Sequence, residues 1–330
     1  MTVQWRSHSV TRFSTRANLV MTAGHDSEEA EAVFTKELEH LDSLISGYRE
    51  DSELSILNRQ NRGRPNSVSP QLYELISVAC SASALTGGMN DPLLGRRVLV
   101  LELPDRITGR PPRVRITRSG GGGSLAKSSM GEIVLDPKSK TVQFPRDSLI
   151  DLHSVGKAFW ADRLAEEFSE RYGGAVVIDI GGDIAVFQPE GEASAGIPIE
   201  VQAGWPVGSY RETVLIQSGG IATSGGLRPD TLSPDTSGRG HIVDPKSGQL
   251  VAMPPATATV AASKCWIANA YSTAIIASGP KAEIFANQAG QAALIVRSDG
   301  LVTRTRSWPA KMEGFSEEVL RTLDQAGTQR

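Results

Sequence analysis

The sequence predicts an α+β protein in which mixed β-sheets pack against helices. Two segments, 26–47 and 69–88, carry apolar side chains at the 3.6-residue spacing of amphipathic helices. Short β-like runs form clusters along the rest of the chain and do not alternate strictly with helices. This order favours an α+β fold over a doubly wound parallel sheet, in which strands and helices alternate.

Capping signals support both amphipathic helices. Asp26 with Glu29 resembles a capping box, and Gly47 is suited to end the first helix. Ser69 followed by Pro70 is typical of a hydroxyl N-cap with proline at the first helical position, and a glycine pair ends the segment. Both helices are therefore predicted from two independent features each.

The remaining elements are predicted from short apolar runs and the breakers between them. A short helix is expected after Asp51. Region 96–135 is interpreted as a variable insertion of strands and loops, because the four consecutive glycines of "SGGGGS" carry too much backbone entropy for regular structure. A helix at 155–171 precedes the apolar strand "AVVIDI". Further strands are predicted at 96–103, 113–117, 132–136, 141–144, 184–187, 198–203, 212–217, 257–262, 292–297 and 301–303, further helices at 264–278 and after 280, and a loose tail at 314–330.

Length and composition narrow the class of protein. With 330 residues, the chain is long enough for one unit built from two interlocked α/β lobes, at about 100–200 residues per domain. Its 34 basic and 37 acidic side chains are nearly balanced, which argues against a nucleic-acid partner. No apolar run suits a signal peptide or a membrane span, so we expect a cytoplasmic protein. Cys80 and Cys265 lack the spacing of a disulfide framework or thiolate metal site.

The segment "IANAYSTA" places polar side chains in an otherwise apolar helix. Asn269 and Thr273 stand four residues apart and share a helix face. One interpretation is local, with Thr273 bonded to the carbonyl of residue 269 and Asn269 meeting solvent or a loop. The other is that the two side chains form part of a binding site.

The start of the helix at 155–171 is suited to an anion. Asp151 and Ser154 precede it, and Lys157 adds a cation to its first turn, so the exposed amides and this charge could hold a phosphate. The alternative is that Asp151 or Ser154 caps the helix and that Lys157 is solvated. Bulky His153 stands beside these residues and could alter a pocket there.

Other polar motifs allow two interpretations each. Asp183 follows two glycines after an apolar strand, where a ligand could approach the backbone or a tight turn could form. Tyr48 could stack on a ligand ring or be an exposed turn residue. His241, with Asp244 three residues later, is the strongest candidate for proton transfer.

Six segments, in this order, resemble the motifs of the FAD:protein FMN transferase family, known as ApbE. One such motif would be weak, whereas the ordered set over about residues 45–280 is specific. The resemblance implies an ApbE or T-fold-like fold that forms a single catalytic unit over 1–330. The segments are "SGYREDSELSILN" (46–58), "TGGMNDP" (86–92), "DLHSVGKAFWADRLA" (151–165), "IDIGGDIAVF" (178–187), "IATSGG" with "HIVDPKSG" (221–226 and 241–248) and "ANAYSTA" (268–274).

The resemblance implies a substrate, a metal and a general base. FAD is the expected substrate, and an acceptor flavoprotein is the expected partner. His241 takes the position of the base that deprotonates an acceptor threonine, whose oxygen attacks the FMN phosphorus and displaces AMP. The main-chain oxygen of Ser154, with Asn269 and Thr273, takes the position that holds Mg²⁺. The implied flavin-contact residues are Ser14, Tyr48, Met89, Asn90, Asp91, Asp151, Lys157, Thr223 and Val243.

Asn269 departs from the family pattern, in which this position is usually an aspartate. An amide carbonyl can ligate Mg²⁺ but brings no charge, so metal affinity should fall unless Asp244 or Asp183 compensates. Three functions therefore stay open: Mg²⁺-dependent FMN transfer, a flavoprotein that holds FAD or uses it for another reaction, and hydrolysis of FAD to FMN and AMP.

Overall fold

A large antiparallel β-sheet organises the computed structural model of the protein. The sheet contains eight strands in the order β1-β2-β6-β7-β10-β13-β14-β15. The structure describes residues 5–22, 27–94, 132–146, 148–189, 196–204, 208–226, 242–251 and 254–309. The strands are β1 (Trp5–Arg12), β2 (Thr15–Thr22), β3 (Asn66–Ser67), β4 (Val134–Asp136), β5 (Thr141–Gln143), β6 (Val176–Ile180), β7 (Asp183–Phe187), β8 (Ile197–Ala203), β9 (Tyr210–Ile216), β10 (Gly219–Gly225), β11 (Val243–Asp244), β12 (Gln249–Leu250), β13 (Thr257–Ala262), β14 (Ala292–Val296) and β15 (Val302–Arg304). The helices are α1 (Ser27–Ile45), α2 (Glu53–Gln60), α3 (Pro70–Leu85), α4 (Gly156–Tyr172), α5 (Cys265–Ala277) and α6 (Ala282–Gln288), with a 3₁₀ turn at Gly279–Lys281.

The sheet has apolar side chains on both faces. In β6, Ile178 packs with Phe34, Trp160 and Leu164 of the helices, whereas its neighbour Val177 packs into a second cluster on the opposite face. The alternation follows from the two-residue period of a strand. The antiparallel β8–β9 pair covers that second face, so the protein has a helix layer, a central sheet and a hairpin layer.

The N-terminal hairpin is an element that the sequence patterns did not predict. β1 and β2 pair along their whole length, and β2 then pairs with β6, Leu19 opposite Ile178. Phe13 and Ser14 form the two-residue turn with positive φ values of 52° and 56°, the conformation that suits the twist of a hairpin. β10 was likewise not predicted as a strand, although it lies near the centre of the sheet between β7 and β13.

Most other predicted elements are confirmed within a residue or two. The hydroxyl of Ser69 accepts from the amide of Leu72 at the start of α3, and that of Ser52 caps α2 in the same way. Of the predicted insertion at 96–135, the structure describes residues 132–135, which include the start of β4; this strand belongs to a small sheet of β3, β5 and β4. The predicted strands at 96–103 and 113–117, the tail at 314–330 and the capping residue Asp26 lie outside the described residues.

The described helices give no membrane-spanning segment, because none of them is both long and apolar enough to cross a bilayer. Both cysteines are unpaired thiols. Cys265 is fully buried at the start of α5, and burial raises its pKa well above the ordinary value, whereas Cys80 is only partly buried.

Candidate functional site

A cleft of about 1160 Å³ brings most of the predicted site residues together. Its walls come from the starts of α4 and β7, from α5, β8 and β10, and from the loop after α3. These segments lie far apart in the sequence, so it is the sheet and its helices that gather them. The predicted site residues that line the cleft are Met89, Asn90, Asp91, Asp151, Ser154, Lys157, Thr223, Val243, Asn269 and Thr273.

Asn269 is buried and is bonded through both ends of its amide. Its Nδ2 donates to a carboxylate oxygen of Asp183, and its Oδ1 accepts from the Thr273 hydroxyl at 3.4 Å. An ionised carboxylate can only accept, so the contact with Asp183 fixes which end of the amide faces Thr273. The local interpretation of "IANAYSTA" is therefore wrong, because Thr273 bonds the side chain and not the carbonyl of Asn269, and Asn269 does not meet solvent.

Asp183 joins two helices, α4 and α5, to the central sheet. It is the first residue of β7, after a turn in which Gly181 and Gly182 have φ values of 70° and 91°. Its Oδ2 accepts from Lys157 Nζ at 2.7 Å, and its side chain is 4% exposed. The tight turn is confirmed, because Gly181 and Gly182 join the antiparallel strands β6 and β7. The alternative of a solvated Lys157 is wrong, because Lys157 and Asp183 form an ion pair between α4 and β7.

The segment before α4 does not cap that helix with a side chain. Val155 is the N-cap residue and its side chain forms no capping bond, while the amide of Gly156 donates to the carbonyl of Leu152 at 2.7 Å. Ser154 Oγ instead donates to Asn90 Oδ1 at 2.8 Å, which ties this segment to the loop after α3. Because Val155, and not Asp151 or Ser154, is the N-cap residue, the capping alternative is wrong. The dipole of the helix start and the charge of Lys157 still favour an anion there.

Asp151 holds the imidazole of His153 at the rim of the cleft. Asp151 Oδ1 accepts from the backbone amide of His153 at 2.8 Å and lies 2.5 Å from its ring Nδ1. The negative charge of Asp151 raises the pKa of His153 above its ordinary value. Tyr48 lies outside the cleft wall, is 48% exposed, and meets the His153 ring edge-on at 6.3 Å between centroids.

Hydroxyl groups line the wall formed by β10 and α5. Thr223 Oγ1 lies 2.9 Å from Thr259 Oγ1, and Ser224 Oγ lies 2.8 Å from Ser272 Oγ and 3.2 Å from Thr273 Oγ1. Such groups can both donate and accept, so this wall suits a ligand with phosphate or hydroxyl oxygens.

Three predicted residues are not placed in the cleft wall. Ser14 lies in the β1–β2 turn, next to the lining residues Thr15 and Arg16. Tyr48 lies at the rim, as described above. His241 lies outside the described residues, directly before the lining residue Ile242.

Asp244 was expected to compensate for the missing charge at Asn269, but its side chain forms hydrogen bonds within its own turn. Its carboxylate accepts from the amide of Lys246 at 2.9 Å and from Ser247 Oγ at 2.8 Å. The side chain is not part of the cleft wall. Of the two acids proposed to compensate for Asn269, Asp183 is therefore the one that lies beside it.

Several lining residues were not singled out from the sequence. Asn18 Nδ2 donates to Asp179 Oδ2 at 2.9 Å, and both line the cleft together with residues 199–202 of β8. Burial is the main cause that raises the pKa of Asp179. Asp179 is the one polar residue in the apolar run "AVVIDI", and this was a usable signal. The sequence gives no signal for the β8 residues, because their position depends on how the β8–β9 pair packs on the sheet.

The donor set of the cleft fits a hard cation with few charged ligands. Within the described residues there is no group of three or more His, Cys, Asp and Glu side chains that could hold a metal. A carboxylate, an amide oxygen and a hydroxyl meet instead at Asp183, Asn269 and Thr273. Mg²⁺ takes one or two carboxylates together with substrate phosphates and water, so these oxygen donors fit it and do not suit a soft metal.

Known proteins share this fold. The flavin transferase ApbE from Vibrio cholerae superimposes with a TM-score of 0.74 at 21% identity, over 93% of this chain and 99% of that one. The ApbE protein from Thermotoga maritima gives a TM-score of 0.75 at 22% identity, over 92% and 98%. The protein therefore has the α+β fold of the ApbE flavin transferases, as the sequence predicted.

Sequence relationships give the family. The FAD:protein FMN transferase of Vibrio cholerae serotype O1 is 24% identical over 279 residues, which cover 83% of this chain and 81% of the relative. That of Escherichia coli K12 is 24% identical over 293 residues, 86% and 81% of the two chains. The ApbE family model matches residues 10–295. The chain belongs to the ApbE family.

Proposed function

We propose that the protein transfers FMN from FAD to a threonine or serine of an acceptor protein and releases AMP. The observation that carries this proposal is the convergence of ten motif residues on one cleft. The cleft offers the start of α4 and Lys157 for a diphosphate, and it is large enough for a ligand of dinucleotide size. Relatives of similar length are named FAD:protein FMN transferases, which supports the same reaction here.

The chemistry is a phosphoryl transfer. The acceptor hydroxyl oxygen forms a bond to the FMN phosphorus, the bond from that phosphorus to the AMP oxygen breaks, and the hydroxyl proton goes to His241. Lys157 and the amides at the start of α4 stabilise the negative charge of the diphosphate. Lys157 lines the cleft, and the role of His241 rests on its motif in the sequence.

We include Mg²⁺ in this proposal. The main-chain oxygen of Ser154, Asn269 Oδ1 and Thr273 Oγ1 would hold it, and a bound Mg²⁺ supplies positive charge against the leaving AMP. Hydrogen bonds place Thr273 against Asn269 and Ser154 against Asn90, whose Nδ2 donates to a carbonyl of α5 at 3.5 Å. This loop and helix therefore share a wall of the cleft.

A flavoprotein that holds FAD without transferring FMN is the second candidate function. It is favoured by the uncharged amide of Asn269, which contacts a carboxylate and a hydroxyl inside the cleft and adds no negative charge for a metal. Hydrolysis of FAD to FMN and AMP is a third outcome, with water in place of the acceptor hydroxyl. The cytoplasmic location stays a prediction from the sequence.

One set of assays separates these functions. The purified protein is examined for bound flavin by its absorbance, and AMP release from FAD is measured with Mg²⁺ and with EDTA, with and without a threonine-bearing acceptor protein. Transfer gives acceptor-dependent AMP and a protein-bound flavin that survives denaturation. Hydrolysis gives AMP without acceptor. Bound FAD with no AMP under any condition supports the flavin holder and contradicts the transferase.

A further inference from the structure

The acidic side chains of the cleft differ in their contacts. Asp151 pairs with His153, and Asp179 accepts from Asn18 and from the amide of Gly182. Asp183 is the described acid whose carboxylate contacts Asn269. Asp183 is therefore the acid that lies beside the amide of Asn269 and the hydroxyl of Thr273 on α5.

We propose that Asp183 is the carboxylate ligand of the divalent cation in this cleft, and that Asn269 orients it. The inference rests on the proposed function, since that function brings a diphosphate and its cation to this wall. Asp183 lies on β7 and not on α5, so the negative charge enters the site from the sheet. Net charge at the site is thereby kept, although residue 269 is neutral.

Asp183 retains the capacity to bind a cation while it holds its present partners. Each carboxylate oxygen has two lone-pair positions, and the contact with Asn269 uses one position on Oδ1. Thr273 Oγ1 lies 3.4 Å from Asn269 Oδ1, so a carboxylate, an amide oxygen and a hydroxyl oxygen follow one another along the wall. All three are oxygen donors of the type that Mg²⁺ takes.

Residues 183 and 269 are chemically coupled. A carboxylate at 269 would put two acceptor-only groups in direct contact, and they would repel each other unless a cation lay between them. An amide at 269 removes this repulsion and donates to Asp183 instead. The pair therefore needs one carboxylate, which could stand at residue 183 or at residue 269.

Lys157 forms an ion pair with Asp183. Its ammonium lies 2.7 Å from Oδ2, on the oxygen that does not contact Asn269. A buried charge is stabilised by such a partner, because an unpaired buried charge is costly. The ion pair occupies Oδ2 and leaves Oδ1 turned towards Asn269 of α5.

The test measures cation affinity directly in the FAD-loaded protein. Mn²⁺ is titrated while free Mn²⁺ is followed by electron paramagnetic resonance, and flavin absorbance reports FAD occupancy independently. We expect Asp183→Asn to weaken Mn²⁺ binding by about tenfold or more, because it removes the charged ligand. The swapped variant D183N/N269D should return to about the affinity of the natural protein. Asp299→Asn, which removes a carboxylate from an exposed turn, should change nothing.

The Asn269→Asp single variant keeps the test decisive if Asp183→Asn does not fold. With carboxylates at both positions, it should bind Mn²⁺ more tightly than the swapped variant, which has one. Equal affinity of these two variants, or natural affinity in a folded Asp183→Asn protein, overturns the inference. Neither result depends on turnover: a protein that binds Mn²⁺ as expected but releases no AMP would instead overturn the proposed transfer.

Discussion

At the scale of single residues, the amide of Asn269 sets the charge balance of the cleft wall. Asn269→Asp brings two carboxylates into contact when no cation is present. We expect the variant to lose on the order of 1–3 kcal/mol of unfolding free energy in EDTA, because two like charges are buried in contact. Excess Mg²⁺ should restore most of this loss by binding only the folded state.

Thermal unfolding in EDTA and in Mg²⁺ measures this effect. The natural protein provides the baseline, and the swapped variant D183N/N269D, which has one carboxylate, should show no loss of this kind in EDTA. Identical unfolding temperatures for Asn269→Asp and the natural protein in EDTA would show that residues 183 and 269 are not in contact.

His241→Ala tests the proposed general base. Since its role is to take a proton from the acceptor, FAD affinity should stay nearly unchanged while transfer falls by about 10²–10⁴-fold. FAD titration followed by flavin fluorescence gives the affinity, and acceptor-dependent AMP release gives the rate per bound flavin. A variant that loses FAD but keeps its rate per bound flavin would assign His241 to ligand binding instead.

At the scale of elements, helix α5 carries both Asn269 and Thr273, so its position decides the geometry of the cleft. Asp162 of α4 accepts from the amides of Cys265 and Trp266 at 2.7 and 2.9 Å, which satisfies two free donors at the start of α5. Burial has the larger effect and raises the pKa of Asp162 from 3.8 to about 6, although these two hydrogen bonds lower it.

This pKa shift predicts a pH-dependent stability. Between pH 3.8 and about 6 the folded protein keeps a proton on Asp162 that the unfolded chain has lost. The contribution of Asp162 to stability is therefore largest near pH 4 and is lost as pH rises through about 6. Asp162→Asn removes this titration, so its unfolding free energy relative to the natural protein should rise by about 1–3 kcal/mol from pH 4 to pH 7.

Urea unfolding at several pH values measures this difference. Other carboxylates titrate alike in both proteins and cancel, while the loss of one acceptor in Asp162→Asn gives an offset that does not depend on pH. Parallel stability profiles from pH 4 to pH 7 would mean that the two amide hydrogen bonds offset the burial of Asp162.

Gly220 sets how closely strand β10 approaches helix α5. A Cβ atom at this position would lie 2.2 Å from Cys265 Cα and 2.4 Å from its backbone nitrogen, and backbone atoms cannot rotate away. Gly220→Ala should therefore destabilise the protein by about 1–3 kcal/mol or more and shift α5. Urea unfolding and FAD titration measure the two effects.

Gly300→Ala is the matched control for Gly220→Ala. Nothing lies within 4 Å of a Cβ atom there, so the substitution costs only backbone strain at a φ of 85°, about 1 kcal/mol. Equal losses in the two variants would show that β10 and α5 tolerate an added methyl group.

Local sequence signals predicted those elements that carry their own caps and periodicity. Helix α3 is an example, because Ser69 and Pro70 mark its start in the sequence as they do in the structure. The β1–β2 hairpin was missed because its exposed positions carry polar and basic residues, and its partner β6 lies more than 150 residues away. Strand β10 was missed because it contains glycines at 219, 220 and 225, and glycine is rare in strands.

At the scale of the whole molecule, local sequence signals also failed to predict the long-range contacts of the site. Motif spacing predicted which residues belong to the cleft, since each motif is local. The contact between Asp183 and Asn269 joins residues 86 positions apart and depends on β7 and α5 meeting at the central sheet. No spacing rule within either motif could have predicted which acid faces the amide, and Asp244 was an equal candidate in the sequence.

The cleft joins all layers of the protein, and this predicts how ligands stabilise it. Asn18 and Val201 line it from the sheet and the hairpin, Lys157 and Thr273 from the helices, and Val243 from the segment after residue 241. A ligand that contacts all of them binds only the folded state, and it adds about 2.7 kcal/mol at a hundredfold excess over its Kd. FAD has a flavin ring, a diphosphate and an adenosine, so it should raise the unfolding temperature more than FMN, AMP or riboflavin at equal concentration. A thermal-shift series with these four ligands measures the order. A riboflavin shift equal to that of FAD would mean that the ring alone binds and that the amides at the start of α4 hold no phosphate.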